Sequence, residues 1–181
     1  SQAALRLAAP GGDAQRLDEA LRANVREAKR AGEMLQRMRD YISNRPSARL
    51  PCDINAVVGD AAALSGADLA QRGIRLELDL ERLLPQAVVD PIELEQVLHN
   101  LIRNAVDSLD RTAQAEKKIV IRTGTSAGQV VIRVSDTGPG LAPAVLPRLF
   151  EPFFTTKADG MGLGLSLCAT LVERAGGSIR A

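Results

Sequence analysis

Residues 136–162 follow neither a helical nor a strand pattern, although regular apolar patterns lie on both sides of them. The segment holds four of the nine prolines, and glycines stand near both of its ends. A loop of this length inside a compact domain is uncommon and usually has a function. The rest of the chain is therefore expected to form regular elements that support a long functional loop.

The elements around this loop mix helices and strands. Helical spacing predicts helices over 54–72, 91–109 and 163–174, with Asp53 and Asp90 as N-caps. Alternation of apolar and polar residues predicts strands over 74–80, 118–123 and 129–134, and residues 178–180 resemble the start of a further, truncated strand. We expect an α/β domain over residues 53–181.

Residues 14–44 place apolar side chains 3.5 to 3.6 positions apart, which predicts an amphipathic helix too long to be stable without a partner. We expect part of a helical hairpin in a dimeric bundle over residues 1–44. A packing helix of a monomer is the alternative. A polar, proline-bounded linker is predicted at 45–52.

Composition excludes several classes of function. A formal net charge of +1 argues against nucleic-acid binding. No apolar run is long enough for a membrane span, so we expect a cytoplasmic segment without membrane contact. Cys52 and Cys168 lack the spacing of a zinc site or a disulfide framework, and both are predicted to be reduced core thiols.

One face of the 91–109 helix is polar where its neighbours are apolar. Asn100, Asn104 and Asp107 are spaced i, i+4, i+7 and share that face. Side-chain oxygens suit a hard cation such as Mg²⁺ that also binds phosphate oxygens. A solvated polar face is the alternative explanation.

The long loop begins and ends with motifs that suit a nucleotide. Asp136 follows a strand and could accept a hydrogen bond from an exocyclic amine, while Gly138 and Gly140 would let a flat ligand approach; an ordinary turn is the alternative. Gly160-x-Gly162-x-Gly164 opens a helix and could present N–H groups to phosphate, but it matches neither a P-loop nor a Rossmann motif.

Four motifs in this order resemble the N, G1, F and G2 boxes of sensor histidine kinases, members of the ATP-binding (GHKL, or Bergerat) superfamily shared with gyrase, Hsp90 and MutL. They are Asn100-x-x-x-Asn104-Ala105, Asp136-x-Gly138-x-Gly140, Leu149-Phe150-Glu151-Pro152-Phe153-Phe154 and Gly160-x-Gly162-x-Gly164-Leu165. The Phe-Phe-Thr-Thr-Lys segment and the short lid resemble the nitrogen-regulation and oxygen-sensor branches most.

The resemblance implies a two-layer α/β sandwich of Bergerat type, in which a mixed sheet packs on helices and ATP lies under a lid at about 141–161. It implies that Asp136 reads adenine, that Asn104 holds Mg²⁺, and that Asn100, Arg103 and Lys157 approach the phosphates. The further residues it assigns to the nucleotide site are Asp107, Gly138, Gly140, Phe150, Gly160, Gly162, Leu163 and Gly164. Phe150, Phe153 and Phe154 would anchor the lid.

Asp107-Ser108 stands where many sensor kinases carry Lys-Tyr, and Asp107 resembles the pattern of the superfamily's ATPases. Those ATPases place a general-base Glu where this chain has Asn100, and an amide cannot accept a proton. An ATP-dependent protein-histidine kinase is therefore expected. A GHKL-type ATPase and a non-catalytic nucleotide-binding dimerisation module are the alternatives.

The resemblance further implies a homodimer through the N-terminal helices and a response-regulator partner whose Asp receives the phosphoryl group from a His. His99 is the single histidine and lies inside the N box, so it is a poor phosphoacceptor. We expect the acceptor His upstream of Ser1, and the fragment alone to be unable to autophosphorylate.

Overall fold

A computed structural model describes residues 18–25, 28, 32, 48–110, 116–157 and 160–181. The chain forms two compact units, Ser1–Asn44 and Arg45–Ala181. In the first unit, residues 18–25, 28 and 32 are helical, and Arg22 Nε lies 2.6 Å from Asp18 Oδ2 one turn away. The remainder of the predicted hairpin lies outside the described residues.

Three helices and five strands form the described part of the second unit. The helices are α1 (Ile54–Gln71), α2 (Pro91–Leu109) and α3 (Gly164–Arg174). The strands are β1 (Leu50–Cys52), β2 (Ile74–Asp79), β3 (Ala87–Val89), β4 (Lys117–Ser126) and β5 (Gln129–Asp136). A short 3₁₀ helix, Leu146–Arg148, lies inside the long loop.

Both aspartates predicted to cap helices do so. The carboxylate of Asp53 accepts hydrogen bonds from the first backbone N–H groups of α1, and Asp90 does the same for α2. Pro91 occupies the first turn of α2, where its missing N–H is not needed. These local contacts fix where α2 begins and therefore which of its residues face each neighbour.

The main sheet has three strands in the order β2-β4-β5. Strand β2 runs parallel to β4, and β5 pairs antiparallel with β4, so that Asp136 at the end of β5 lies opposite Ile119. Helices α1 and α2 pack on this sheet, and α3 packs on α2. The predicted two-layer α/β arrangement with a mixed sheet is confirmed.

Two hydrophobic clusters fix α2 in place. The larger one joins α1, α2 and the sheet and includes the fully buried Val58, Leu109, Ile119 and Ile121. The smaller one joins Val97 of α2 to Leu167, Cys168 and Leu171 of α3. Since α2 belongs to both clusters, its polar face has a defined position relative to β5 and α3.

Two short strands were not predicted. Residues 50–52, expected in the linker, form β1 and pair antiparallel with β3, and Cys52 is buried. Backbone pairing with Ala87–Val89 therefore overrides the polar, proline-rich character of this segment. The predicted final strand at 178–180 is wrong, because these residues form no ladder with any described strand.

Both cysteines are free and buried, as predicted. Burial raises the pKa of the Cys168 thiol to about 12, so this thiol is protonated at neutral pH. Desolvation also raises the pKa of Cys52, and the neighbouring carboxylate of Asp53 raises it further. These thiols act as small apolar groups of the core.

Among the helices of the described residues, none has the length and apolar character needed to cross a membrane.

The core assignment predicts a difference between two leucine truncations. Leu109 is fully buried, whereas Leu83 is 91% exposed. Leu109→Ala is expected to lower the free energy of unfolding by about 3 kcal/mol, because it leaves a cavity in the larger cluster. Leu83→Ala, the matched control, is expected to change it by less than about 0.5 kcal/mol. Urea denaturation of both variants measures the two values, and equal losses would contradict the assignment.

Candidate functional site

Helix α2 presents a polar row toward the long loop. Asn100, Asn104 and Asp107 are half-buried, while Arg103 is exposed beside them. The predicted shared face of Asn100, Asn104 and Asp107 follows from their spacing on one regular helix. This row forms one wall of the candidate site.

Lys157, near the end of the long loop, inserts between two of these residues. Its ammonium Nζ donates to Asn104 Oδ1 at 3.1 Å and to Asp107 Oδ2 at 2.6 Å. The lysine side chain is 29% exposed and that of Asp107 is 40% exposed. Two oxygen atoms on one face of α2 therefore already hold a positive charge.

Asp136 ends β5 beside the same helix. Its Oδ1 accepts hydrogen bonds from the Gly138 backbone N–H at 2.8 Å and from the Ser108 hydroxyl at 3.2 Å. Both hydrogen bonds fall on one oxygen, and the residue is solvent-exposed. The carboxylate is therefore oriented by α2 and by its own turn while it stays accessible to a ligand.

The absence of a side chain at Gly138 lets Ser108 and Asp136 keep these positions. A Cβ at this position would overlap Ser108 Oγ and approach Asp136 Oδ1. The adjacent Thr137 ties the turn to the start of β4, since its hydroxyl accepts from the Lys118 N–H at 3.0 Å and donates to the Glu116 carbonyl at 3.0 Å. The turn after β5 is thus held close to both β4 and α2.

The segment 141–157 has short-range order of its own. A turn closes between the Val145 N–H and the Ala142 carbonyl at 2.8 Å, and the Leu146–Arg148 3₁₀ helix follows. The Arg148 guanidinium lies 4.4 Å from the centre of the Phe154 ring and 3.0 Å from Glu151 Oε2. A cation–π contact and an ion pair therefore organise this part of the predicted lid.

The three phenylalanines do not act alike. Phe150 and Phe154 are half-buried, but Phe153 is 73% exposed. The expectation that Phe153 anchors the lid is therefore wrong. Its backbone also adopts a φ of 66°, which is uncommon outside glycine.

Gly162 closes the base of the lid. Its carbonyl accepts a hydrogen bond from the Phe153 N–H at 3.0 Å, and its own φ is 67°. A Cβ there would overlap the backbone of Phe153 and Phe154. Only glycine permits this close backbone approach.

The start of α3 lies beside α2. Leu163 is buried and precedes the first turn, and α3 begins without a side-chain cap. A Cβ at Gly164 would lie 3.6 Å from Asn100 Oδ1, so the glycine-rich helix start and the first amide of the polar row are neighbours. The Gly160 N–H donates a hydrogen bond to the Lys157 carbonyl at 3.2 Å.

Two contacts of this site could not be read from the residue pattern. The Ser108 hydroxyl contacts Asp136, although the family motifs mark Ser108 only as a departure from their pattern. The ion pair between Asp107 and Lys157 joins positions fifty residues apart along the chain. His99, by contrast, is exposed on α2, and its Nδ1 lies 3.5 Å from Ser65 Oγ.

Residues 89–181 match a sequence model of the family described as histidine kinase-, DNA gyrase B- and HSP90-like ATPases. That match covers half of the chain, which therefore belongs to this ATP-binding family. The resemblance inferred from the four motifs is confirmed.

The relatives are sensor proteins of bacteria. The C4-dicarboxylate transport sensor protein DctS of Rhodobacter capsulatus is 33% identical over 84% of this chain, and the sensor protein FixL of Bradyrhizobium diazoefficiens is 33% identical over 90%. The chain spans only 23% and 32% of their respective lengths. The crystal structure of full-length ShkA in complex with AMPPNP aligns with a TM-score of 0.67 and 26% identity, covering 86% of this chain and 33% of ShkA.

The joint between Phe153 and Gly162 predicts a local effect of one substitution. Gly162→Ala is expected to speed hydrogen exchange of the Phe153 N–H by about tenfold or more, because the added Cβ breaks its hydrogen bond to the Gly162 carbonyl. Gly140→Ala is the matched control: Gly140 also has a positive φ, 74°, but no atom lies within 4 Å of its Cβ position. Hydrogen exchange of the Phe153 N–H is measured by NMR in both variants. An equal effect of the two substitutions would contradict the overlap between a Cβ at position 162 and the backbone of Phe153.

Proposed function

We propose that this chain contains the ATP-binding catalytic part of a sensor histidine kinase. The observation that carries the proposal is that the end of β5 and the end of the lid contact the polar side of α2, and that the start of α3 lies beside it. Asp136 of β5 contacts Ser108, and Lys157 of the lid contacts Asn104 and Asp107. Gly164 of α3 lies next to Asn100. These contacts support one shared site for the Asn motif, the Asp136 turn and the glycine-rich start of α3, with Lys157 beside them.

Asp136 is proposed to recognise adenine. Its Oδ1 is already bonded to Gly138 and Ser108, so Oδ2 is the oxygen oriented to accept a hydrogen bond from the exocyclic amine. The lack of a side chain at Gly138 leaves room for the Ser108 hydroxyl beside Asp136, and Gly140 allows the turn that follows, with its positive φ. A base that presents a carbonyl oxygen at this position would face the carboxylate unfavourably.

The phosphates are proposed to lie between α2 and the start of α3. The first N–H groups of an uncapped helix and the dipole of that helix favour an anion, which gives Gly162, Leu163 and Gly164 their role. Asn100, Arg103 and Lys157 would contribute from α2 and the lid. Gly160 keeps the turn before α3 compact, and Phe150 supports the lid.

The donor set fits Mg²⁺. Asn104 Oδ1 and Asp107 Oδ2 converge on the ammonium of Lys157, so these oxygens already hold a cationic group, and an amide with a carboxylate suits a hard cation. No group of three or more His, Cys, Asp or Glu within the described ranges could hold a metal alone. Asn104 would therefore hold Mg²⁺ together with the phosphates, whose charge this ion neutralises.

Phosphoryl transfer needs mainly positioning and charge neutralisation from such a domain. We propose that the γ-phosphate passes to a His outside these 181 residues and then to an Asp of a response regulator. Residues 1–44 would form part of the dimerisation hairpin of a cytoplasmic homodimer, and residues 45–49 a linker to the ATP-binding domain, to which β1 at 50–52 also belongs. Support comes from DctS and FixL, both sensor proteins.

Nucleotide recognition by Asp136 predicts a selective loss. Asp136→Asn removes the charged acceptor and should weaken binding of Mg·AMPPNP by about tenfold or more. Asp60→Asn changes an exposed aspartate of α1 and should leave the affinity unchanged. Isothermal titration of both variants measures the effect. Unchanged affinity in Asp136→Asn would remove Asp136 from the site.

Kinase and hydrolase predict different products. Because Asn100 cannot act as a general base, purified chain incubated with Mg·ATP should release no phosphate above the background of Asp136→Asn. Sustained release that Asp136→Asn abolishes would instead favour a GHKL-type ATPase. Binding of AMPPNP without any phosphoryl transfer or release would fit a non-catalytic nucleotide-binding dimerisation module, and absence of AMPPNP binding in the unmodified chain would contradict the proposed nucleotide site altogether.

A further inference from the structure

The contact between the lid and α2 resembles an occupied cation site. Asn104 Oδ1 and Asp107 Oδ2 approach the same ammonium at 3.1 and 2.6 Å. Asn104 and Asp107 are three positions apart on one helix, so both oxygens point to the same place without rearrangement of the backbone. The lysine arrives from the other side of the site, on the loop that is proposed to cover the nucleotide.

Asp107 is the acidic residue of α2 that pairs with the lid. Asp110, at the C-terminal end of α2, pairs instead with Arg72 at 2.5 Å and with Lys117 at 3.8 Å. Glu93, in the first turn, lies 3.3 Å from Arg174 of α3. The pair between Asp107 and Lys157 is therefore specific to this place on the helix.

The backbone around Lys157 is held independently of this ion pair. The Lys157 N–H donates to Thr155 Oγ1 at 3.0 Å, and the Lys157 carbonyl accepts from the Gly160 N–H at 3.2 Å. The side chain can consequently leave α2 by rotation of its four-carbon stem while the turn persists. No unfolding of the lid is required.

A divalent ion and the lysine ammonium cannot share these oxygens, because like charges this close repel strongly in a half-buried site. We propose that Asp107 is a positioning residue which, with Asn104, holds Lys157 in the place of the divalent ion until the two cations exchange. On entry of Mg·ATP, Lys157 is released from α2 toward the phosphates. The inference rests on the proposed function for its ligand, but its test uses nucleotide-free protein.

The test is Mn²⁺ binding to the nucleotide-free chain, measured as the loss of the free Mn²⁺ signal in electron paramagnetic resonance. Lys157→Met removes the competing charge and should bind Mn²⁺ about fivefold more tightly than the unmodified chain. In an Asp107→Asn background, Lys157→Met should give no such gain, since the carboxylate that holds both cations is absent. Lys157→Arg, which keeps the competing charge, should bind like the unmodified chain.

Lys117→Met is the matched control, because Lys117 is similarly half-buried and paired with an aspartate of the same helix. It should leave Mn²⁺ affinity unchanged, which separates local exchange from a general change of net charge. Equal affinity of Lys157→Met and the unmodified chain, or an equal gain in Lys117→Met, would overturn the exchange. If the adenine assignment fails, Asp136→Asn will bind Mg·AMPPNP as tightly as the unmodified chain does, while these Mn²⁺ results remain the same.

Discussion

The structure depends on helix α2 being buried on one side and polar on the other. Its apolar side chains enter two separate clusters, one with α1 and the sheet and one with α3. That burial fixes the rotation of the helix about its axis, and the rotation in turn aims Asn104 and Asp107 at the lid. A helix with only one packed neighbour would leave this orientation to the loop, which has few buried groups of its own.

Around α2, the turn after β5 and the base of the lid are held in place by close backbone contacts and not by large side chains. The turn after β5 and the base of the lid each contain a glycine whose Cβ would overlap a neighbour, at Gly138 and at Gly162. Four aromatic residues in 181 leave little bulky material for such contacts. The site is consequently built from main-chain and side-chain hydrogen bonds, two ion pairs and the cation–π contact of Arg148.

Local signals in the sequence predicted the regular elements well. The caps Asp53 and Asp90 act within a few residues of themselves, and the periodicity of α2 is a property of one segment, so both could be found without tertiary information. Strands β1 and β3 are three residues long and carry no periodicity, and their existence depends on each other. The exposure of Phe153 and its hydrogen bond to Gly162 likewise leave no signal in the residue pattern.

The candidate site divides in the same way. Its residue types were predictable because family motifs preserve their order, but their pairing was not, since opposite charges fifty positions apart have many possible partners. Lys157 contacts two residues of α2, a pairing that the motifs did not indicate, while its expected contact with phosphate stays a prediction. The hydrogen bond between Ser108 and Asp136 exists because β5 and α2 lie side by side, and that placement is a property of the tertiary structure.

The hydrogen bond from the Phe153 N–H to the Gly162 carbonyl also has a consequence for chain entropy. It closes residues 153–162 into a loop of their own, and Lys157, which contacts α2, lies inside that loop. Doubling the length of a flexible loop costs only about 0.6 kcal/mol. An insertion next to Lys157 would thus cost little entropy, while the joint between Phe153 and Gly162 keeps the two ends of the loop together.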